Sequence, residues 1–322
     1  MKIVITGGAG YIGSSLCHLL SQPEFYWHEV DVYDNLYYNQ GTLVSPLFTR
    51  KQAERGRRIN FFKENILDWS DNLEKSIEEA HAIIPLAALV GAPLCDQNKE
   101  LAQNLNSVWF QGLAKRAADK LIIYPNTNSG YGSTGDEICT EETPTNPLSL
   151  YAQSKSEAED ILLKFTNRSI VFRLATVFGS SFRTRTDLLV NNLTKVALEQ
   201  KHLSVFDGHF RRNYIHIKDI CNAFIFALQN SEKMIGQVFN LGNDQINTTK
   251  LGLVQKVCEQ TGATYSEDHS KTDPDKRDYV VSSQKLYDLG FRPEYDLDHG
   301  IEEMKRFYNV LDPSDEDKCK NY

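Results

Sequence analysis

The sequence predicts an α/β protein: a doubly wound parallel sheet with helices on both faces, followed by a smaller mixed α/β C-terminal lobe. Three observations predict it. Compact β-branched runs alternate with helix-spaced runs through the first half of the chain. A glycine turn joins the first of these strands to the first helix. From about residue 180 the alternation loosens into loops. At 322 residues the chain is long enough for one large α/β unit with a substantial core.

In order, "KIVIT" is the first strand and "YIGSSLCHLLSQ" the first helix. "HEVDVYD" and "INFFKENI" are the next strands and "HAIIPLAA" another. A helix is expected at about 101–119, then the strand "KLIIYPN", the helix "LYAQSKSEAEDILLKFT" and the strand "SIVFRLATVFG". Beyond these, helices are expected near 188–200 and 297–308. The large domain spans 1–178 with returning segments at about 210–243, and the lobe spans about 179–209 and 244–310. The charged segment 311–322 is expected to fray.

Composition excludes several classes. Apolar residues make up 41% and charged residues 24%, an ordinary globular balance. A net charge of −8 without a Lys/Arg block argues against nucleic acid as partner. The six cysteines (17, 95, 139, 221, 258, 319) form no C-x-x-C pair. They read as reduced thiols of a cytoplasmic protein, and no metal site is expected. "MKIVITGG" enters a strand directly, so no signal peptide is expected. The longest apolar stretch, "AIIPLAALVGAPL", is too short to span a bilayer.

"ITGGAGYIG" spaces Gly7, Gly10 and Gly13 three apart between strand and helix. Gly7 permits the tight turn, Gly10 lets backbone approach a pyrophosphate, and Gly13 lets helix and strand pack closely. The helix N-terminus favours the negative charge. Asp34 follows Gly13 by 21 residues, at the end of the second strand, where a carboxylate accepts from adenosine ribose hydroxyls. No arginine follows in "NLYYNQ" to receive a 2′-phosphate, so the expected cofactor is NAD rather than NADP. Asp31 competes for the role but sits mid-strand.

On a helix, Tyr151 and Lys155 share a face one turn apart. A lysine ammonium beside a phenol stabilises phenolate, which fits Tyr151 for proton transfer. Thr127, in the polar loop "TNSGYG", supplies a hydroxyl to hold a substrate oxygen. Taken alone, the Tyr/Lys spacing is that of an exposed helix pair; the glycine turn, polar loop and chain order give it weight.

With "TGGAGYIG", "DNL", "LAA", Asn106, "TNSGYG", "YAQSK", "RLATVFG", "RRNYIHIKD" and "FNLG" in this order, the chain resembles the extended short-chain dehydrogenase/reductase family. The resemblance is to its NAD-dependent nucleotide-sugar epimerase/dehydratase branch and covers about residues 1–308. It implies a Rossmann-type domain holding tightly bound NAD, a lobe holding a nucleoside-diphosphate sugar, and a homodimer paired through helices. It implies catalysis by Thr127, Tyr151 and Lys155. It further implies cofactor contacts from Tyr11, Ile12, Asn35, Asn65, Ile66, Leu86, Ala87, Ala88 and Asn106 beside the glycines and Asp34. Substrate contacts would come from Thr127, Asn128, Ser129, Thr176, Asn192, Arg212 and Asp275. The family's arginine three residues before that aspartate falls on Thr272, so Arg183 or Arg185 is expected to replace its phosphate contact.

The loop also excludes chemistry. Dehydratases that resemble this chain carry Thr-Asp-Glu where it has Thr127, Asn128 and Ser129. Neither an amide nor an unactivated hydroxyl is a competent general acid or base near neutrality. Relatives that epimerise at C3 and C5 place a cysteine where Ser129 stands and a histidine later, and "VFGSSF" has none. What remains is redox at C4 of the sugar, as a 4-epimerase or 4-dehydrogenase. A 4-reductase or 4,6-dehydratase is the alternative, and a non-catalytic NAD-binding regulator ranks lower.

Overall fold

The structure is a computed structural model that describes residues 1–25, 29–41, 43, 59–270 and 277–321. Seven strands form the main sheet: β1 (Lys2–Thr6), β2 (Glu29–Asp34), β3 (Ile59–Lys63), β4 (Ala82–Pro85), β5 (Leu121–Thr127), β6 (Ser169–Leu174) and β7 (Gln237–Leu241). Every neighbouring pair is parallel, in the spatial order β7-β6-β5-β4-β1-β2-β3. The chain builds outward from β1 to β3, then restarts at β4 on the other side of β1. Loops after β1 and β4 therefore diverge and leave a crevice at the strands' C-terminal ends.

Side-chain alternation along β1 makes two cores, as a period of two requires. Ile3 and Ile5 pack into the layer that contains Leu16 of the Tyr11–Leu20 helix and Phe224 of the Ile217–Gln229 helix. Val4 packs on the opposite face in the layer of Ile77, Phe110 and Leu162. All three β1 side chains are fully buried, and each such burial contributes about 1.5–3 kcal/mol. This rigid sheet holds the ends of β1, β2, β4 and β5 in fixed register around the crevice.

The lobe has its own core, with Val190, Leu203, Tyr214, Leu253 and Ile301. Its boundary with the sheet differs from the sequence expectation. "SIVFRLATVFG" is two strands, because β6 ends at Leu174 and Thr176–Phe178 pairs instead with Arg211–His216. Those two and Asn243–Thr249 form a separate three-stranded sheet. Ala175 makes the hand-over, its N–H donating to the Leu241 carbonyl at 2.9 Å. So the returning segment divides: Arg211–His216 joins the small sheet, while the Ile217–Gln229 helix and β7 join the large one.

The helix expected at 101–119 runs from Lys99 to Arg116 in three pieces, with a π turn over Asn104–Val108. The tail, expected to fray, instead forms a 3-10 helix over Pro313–Cys319. The Thr186 N–H donates to the Cys319 carbonyl at 2.8 Å, Lys195 pairs with Glu316, and Asn321 is buried. A charged segment can dock in this way because its polar groups find partners in place of water.

Candidate active site

A cavity of about 500 Å³ opens in the crevice. Its first end is built by the turn after β1. Gly7 has φ +69°, and a Cβ there would lie 2.5 Å from the Ala87 nitrogen of the loop after β4. A Cβ on Gly13 would lie 2.4 Å from the Gly7 carbonyl oxygen. Both positions therefore require glycine. Gly10 caps the Tyr11–Leu20 helix without a side chain, so the first-turn N–H groups stay open to an anion.

Asp34 ends β2 and lines this part of the wall. Its Oδ2 accepts from the Ala9 N–H at 3.0 Å and its Oδ1 from the Leu36 N–H at 2.8 Å. Burial pushes its carboxyl above the usual range, while these two N–H groups and the nearby Arg183 pull it back. Asp31 is not in the wall. It takes Asn60 Nδ2 and Ser76 Oγ, each at 2.7 Å, and so braces β2 from behind. Tyr11, Ile12, Asn35, Asn65, Ile66, Leu86, Ala87 and Ala88 all line the cavity. Tyr11 donates to the Gly179 carbonyl at 2.7 Å, and Asn65 Oδ1 accepts from Leu67 N–H at 3.2 Å. Open helix N–H groups beside a carboxylate at the end of β2 fit a dinucleotide.

The second end gathers Thr127, Ser129, Tyr151, Lys155, Thr176, Arg183 and Arg185 in the same wall. Ser149 caps the helix that carries Tyr151 and Lys155, accepting from the Ala152 N–H at 3.3 Å. Thr127 caps the 3-10 turn Asn128–Tyr131 and donates its hydroxyl proton to Ser129 Oγ at 3.0 Å. Arg277 also donates to Ser129 Oγ. With both lone pairs of Ser129 Oγ occupied, its own proton stays available to a further acceptor.

Desolvation dominates both members of the Tyr/Lys pair. Burial pushes the Tyr151 phenol up to about 12, while Arg185 and Arg277 pull it down. Burial lowers the Lys155 ammonium to about 7. Its Nζ lies 4.2 Å from the Tyr124 ring centroid, and among the described residues it meets no hydrogen-bond acceptor.

Four of the expected site residues that are described do not line the wall. Asn106 is fully buried and braces the loop after β4, taking Leu89 N–H and donating to Leu89 O at 2.9 Å each. Its amine also meets Ser154 Oγ at 3.4 Å, so it ties the loop after β4 to the helix of Tyr151. Asn128 is fully buried and does not line the cavity, and among the described residues its amide has no hydrogen-bond partner. Asn192 is exposed, whereas Asn191 faces inward, bonding Gly179 and donating to the Arg185 carbonyl at 2.8 Å. The helix from Leu189 to Gln200 turns these neighbours to different faces. Arg212 stands behind Tyr279, its guanidinium 5.5 Å from that ring, and it is Tyr279 that reaches the wall. Asp275 lies outside the described residues.

Sequence reasoning also missed residues that the wall contains. Arg277 stands two positions after Asp275, whereas the family's arginine position precedes the aspartate, at Thr272. Asn321 comes from the supposedly frayed tail and accepts from Arg183 Nη1 at 2.6 Å. Asn126, beside Thr127, also lines the wall. Away from the cavity, His216, His299 and Glu303 cluster, but Glu303 is already engaged by His216 at 2.9 Å and Lys218 at 2.6 Å.

The sequence profile of the NAD dependent epimerase/dehydratase family matches residues 3–242. The chain belongs to this family. It is an NAD-dependent enzyme of the extended short-chain dehydrogenase/reductase type, and NAD is its cofactor. One relative is the uncharacterized UDP-glucose epimerase YtcB of Bacillus subtilis, 26% identical over 317 residues, covering 94% of this chain and 96% of that protein. Another is UDP-glucuronic acid decarboxylase 1 of Xenopus tropicalis, 26% identical, covering 95% of this chain and 72% of that one. Among solved structures, UDP-glucuronic acid 4-epimerase from Bacillus cereus, in complex with UDP-glucuronic acid and NAD, superposes with a TM-score of 0.79. It is 26% identical, with 96% of this chain and 100% of that chain covered.

Proposed function

We propose that this member of the family carries out redox at C4 of a nucleoside-diphosphate sugar, as a 4-epimerase or 4-dehydrogenase in nucleotide-sugar or surface-polysaccharide biosynthesis. The observation that carries this reading is the chemistry of the Tyr151 end of the cavity. Thr127, Ser129, Tyr151, Lys155, Arg185 and Arg277 supply hydroxyls and cations there. Among the described residues, the wall's carboxylates are Asp34 and Glu64, both at the opposite end, after β2 and β3.

Bound NAD supplies the acceptor and later the donor of the C4 hydrogen with its electron pair. Tyr151 exchanges the proton of the C4 oxygen. In the state described here its phenol holds that proton, the form needed to protonate a keto oxygen. Taking a hydroxyl proton requires phenolate, which a protonated Lys155 one turn away favours. Ser129 directs its proton to a ligand oxygen, and Arg277 keeps Ser129 in that role. Arg183 and Arg185 suit a diphosphate. Removing a C5 proton and expelling a C6 hydroxyl needs an acid/base pair that Asn128 and Ser129 do not offer, so the 4,6-dehydratase alternative is disfavoured.

A second reading has its own observation. Arg185 and Arg277 both act on Tyr151 electrostatically, and cations there suit a sugar with a carboxylate at C6. Oxidised at C4, such a sugar is a β-keto acid that loses carbon dioxide without a further base.

One experiment separates the outcomes: mass spectrometry and chromatography of products from UDP-glucose, UDP-glucuronic acid and dTDP-glucose incubated with enzyme and NAD+. An isomer of unchanged mass marks epimerisation, loss of two hydrogens dehydrogenation, and loss of carbon dioxide the second reading. Loss of water would overturn the exclusion of dehydration. NAD binding without any product would favour the regulator.

We also place the chain in the cytoplasm as a homodimer. No helix among the described residues is long and apolar enough to cross a membrane, and five of the six free cysteines are buried. Val108 and Phe165, 44% and 57% exposed on the helical layer, suit a subunit contact. Light scattering at the monomer mass would remove the dimer.

A further inference from the structure

Glu159 lies on the Tyr151 helix two turns further on, with Lys155 between them. It is buried and does not line the cavity. Its carboxylate is shared between two neighbouring strands. Oε1 accepts from Arg173 Nη2 at 2.6 Å, and Oε2 accepts from Arg173 Nε at 3.2 Å and from Asn126 Nδ2 at 2.5 Å. Asn126 Oδ1 in turn accepts from the Thr127 backbone N–H at 2.8 Å. Arg173, on β6, sends Nη1 to the Tyr131 hydroxyl at 3.0 Å, at the far end of the turn that begins after Thr127.

The catalytic loop is thus gripped at both ends by one buried ion pair, and the same carboxylate belongs to the helix of Tyr151 and Lys155. Such a pair is weak evidence for stability, because desolvation offsets most of its attraction. What it does provide is direction. Thr127 N–H requires the Asn126 oxygen and Glu159 requires the Asn126 amine, so the amide has one orientation and the Thr127 peptide is fixed with it.

We propose that Asn126 and Glu159 are positioning residues that hold the Thr127 and Ser129 hydroxyls in register with the Tyr151 phenol. The inference rests on the reading of Thr127, Ser129 and Tyr151 as the groups that meet the substrate. A shift of about 1 Å in such groups costs on the order of 100-fold in rate, so the grip is felt in turnover before it is felt in binding.

The test uses full-length Asn126→Ala, Asn126→Asp, Glu159→Gln and the double variant Asn126→Asp with Glu159→Gln. Turnover is assayed with UDP-glucuronic acid and UDP-glucose, NADH binding by fluorescence, and folding by circular dichroism. Asn126→Ala leaves the Glu159–Arg173 pair intact and should fold. Its kcat should fall about 10- to 100-fold, with KM and NADH affinity within about twofold of wild type. Asn126→Asp faces one carboxylate with another, so its kcat should recover as pH falls and the two share a proton. Glu159→Gln replaces one carboxylate oxygen with an amine that meets either the Asn126 amine or Arg173 Nη2, so one side of the grip is lost and kcat should fall. The double variant exchanges amide and carboxylate, restores the contact between positions 126 and 159 and the one to Thr127 N–H while Arg173 Nε loses its acceptor, and should regain kcat relative to Asn126→Asp at neutral pH.

An Asn126→Ala kcat within about twofold of wild type overturns the proposal, as does a kcat loss matched by equal loss of folded protein or NADH affinity. Tyr151→Phe is the control. If it retains turnover, the reading of the site fails. If it is inactive while Asn126→Ala is unimpaired, only the positioning role fails.

Discussion

At the Asp34 end of the cavity, the wall comes from consecutive pieces of chain. The turn after β1, the end of β2 and the loop after β4 meet at the switch point of one sheet. At the Tyr151 end the wall is assembled from Thr127 and Ser129 after β5, a helix, the 181–188 loop, Arg277 and the tail residue Asn321. The first end is shaped by backbone: glycines that leave no room for a Cβ and open N–H groups. The second is shaped by side chains, several of them held by charges distant in sequence. A common cofactor can be met by repeated backbone geometry. A particular substrate needs groups that can vary without disturbing the sheet.

Tyr151→Phe should break the second end alone. Loss of the proton-transferring hydroxyl is expected to lower kcat by about 10²–10⁴-fold, with NADH affinity unchanged by fluorescence titration. Wild-type-like turnover would remove Tyr151 from the mechanism.

Lys155→Met asks what that end costs the fold. The folded pKa of Lys155 lies near 7, below its ordinary 10.5, so between those values the unfolded chain binds more protons. The contribution of this group to stability therefore rises with pH across that window, and its penalty is complete below it. Lys155→Met should stabilise the cofactor-free protein by about 2–4 kcal/mol at pH 7, the gain shrinking toward pH 10, as followed by chemical unfolding. A gain that does not fade with pH would mean that packing, not charge burial, is responsible.

Arg277→Ala should separate the two ends more finely. It removes a charge-assisted contact to Ser129 and is expected to raise KM for the nucleotide sugar about 10- to 100-fold while leaving NADH binding intact. Equal losses at both ends would show that the cavity is one cooperative unit. The smallest effect is expected at Asn192, which faces solvent: Asn192→Ala should change kcat/KM by less than about twofold.

The same division governs what could be read from residues in a row. Gly7, Gly10, Gly13 and Asp34 carry their meaning in spacing, because one strand, one turn and one helix fix their geometry locally. Tyr151 and Lys155 were legible for the same reason, being one turn apart on a single helix. Asn128 and Asn192 were misplaced by a residue or two of local rotation, and Asn106 faces a backbone loop rather than the cavity. The break at Ala175 carries no glycine or proline, since it follows from which sheet each half pairs with.

By itself the sequence determined the parallel sheet, the glycine turn after its first strand, the preference for NAD, and a polar loop without carboxylates after the strand that ends at Thr127. Each depends on local geometry or on residue chemistry alone. Only the tertiary structure decided that Arg277 meets Ser129. It also decided that the tail closes on Arg183, and that Glu159 and Arg173 grip the loop through Asn126. Those contacts join residues up to 148 positions apart, and no periodicity or spacing encodes which buried charge will meet which. Close packing and the need to pair every buried polar group make that choice.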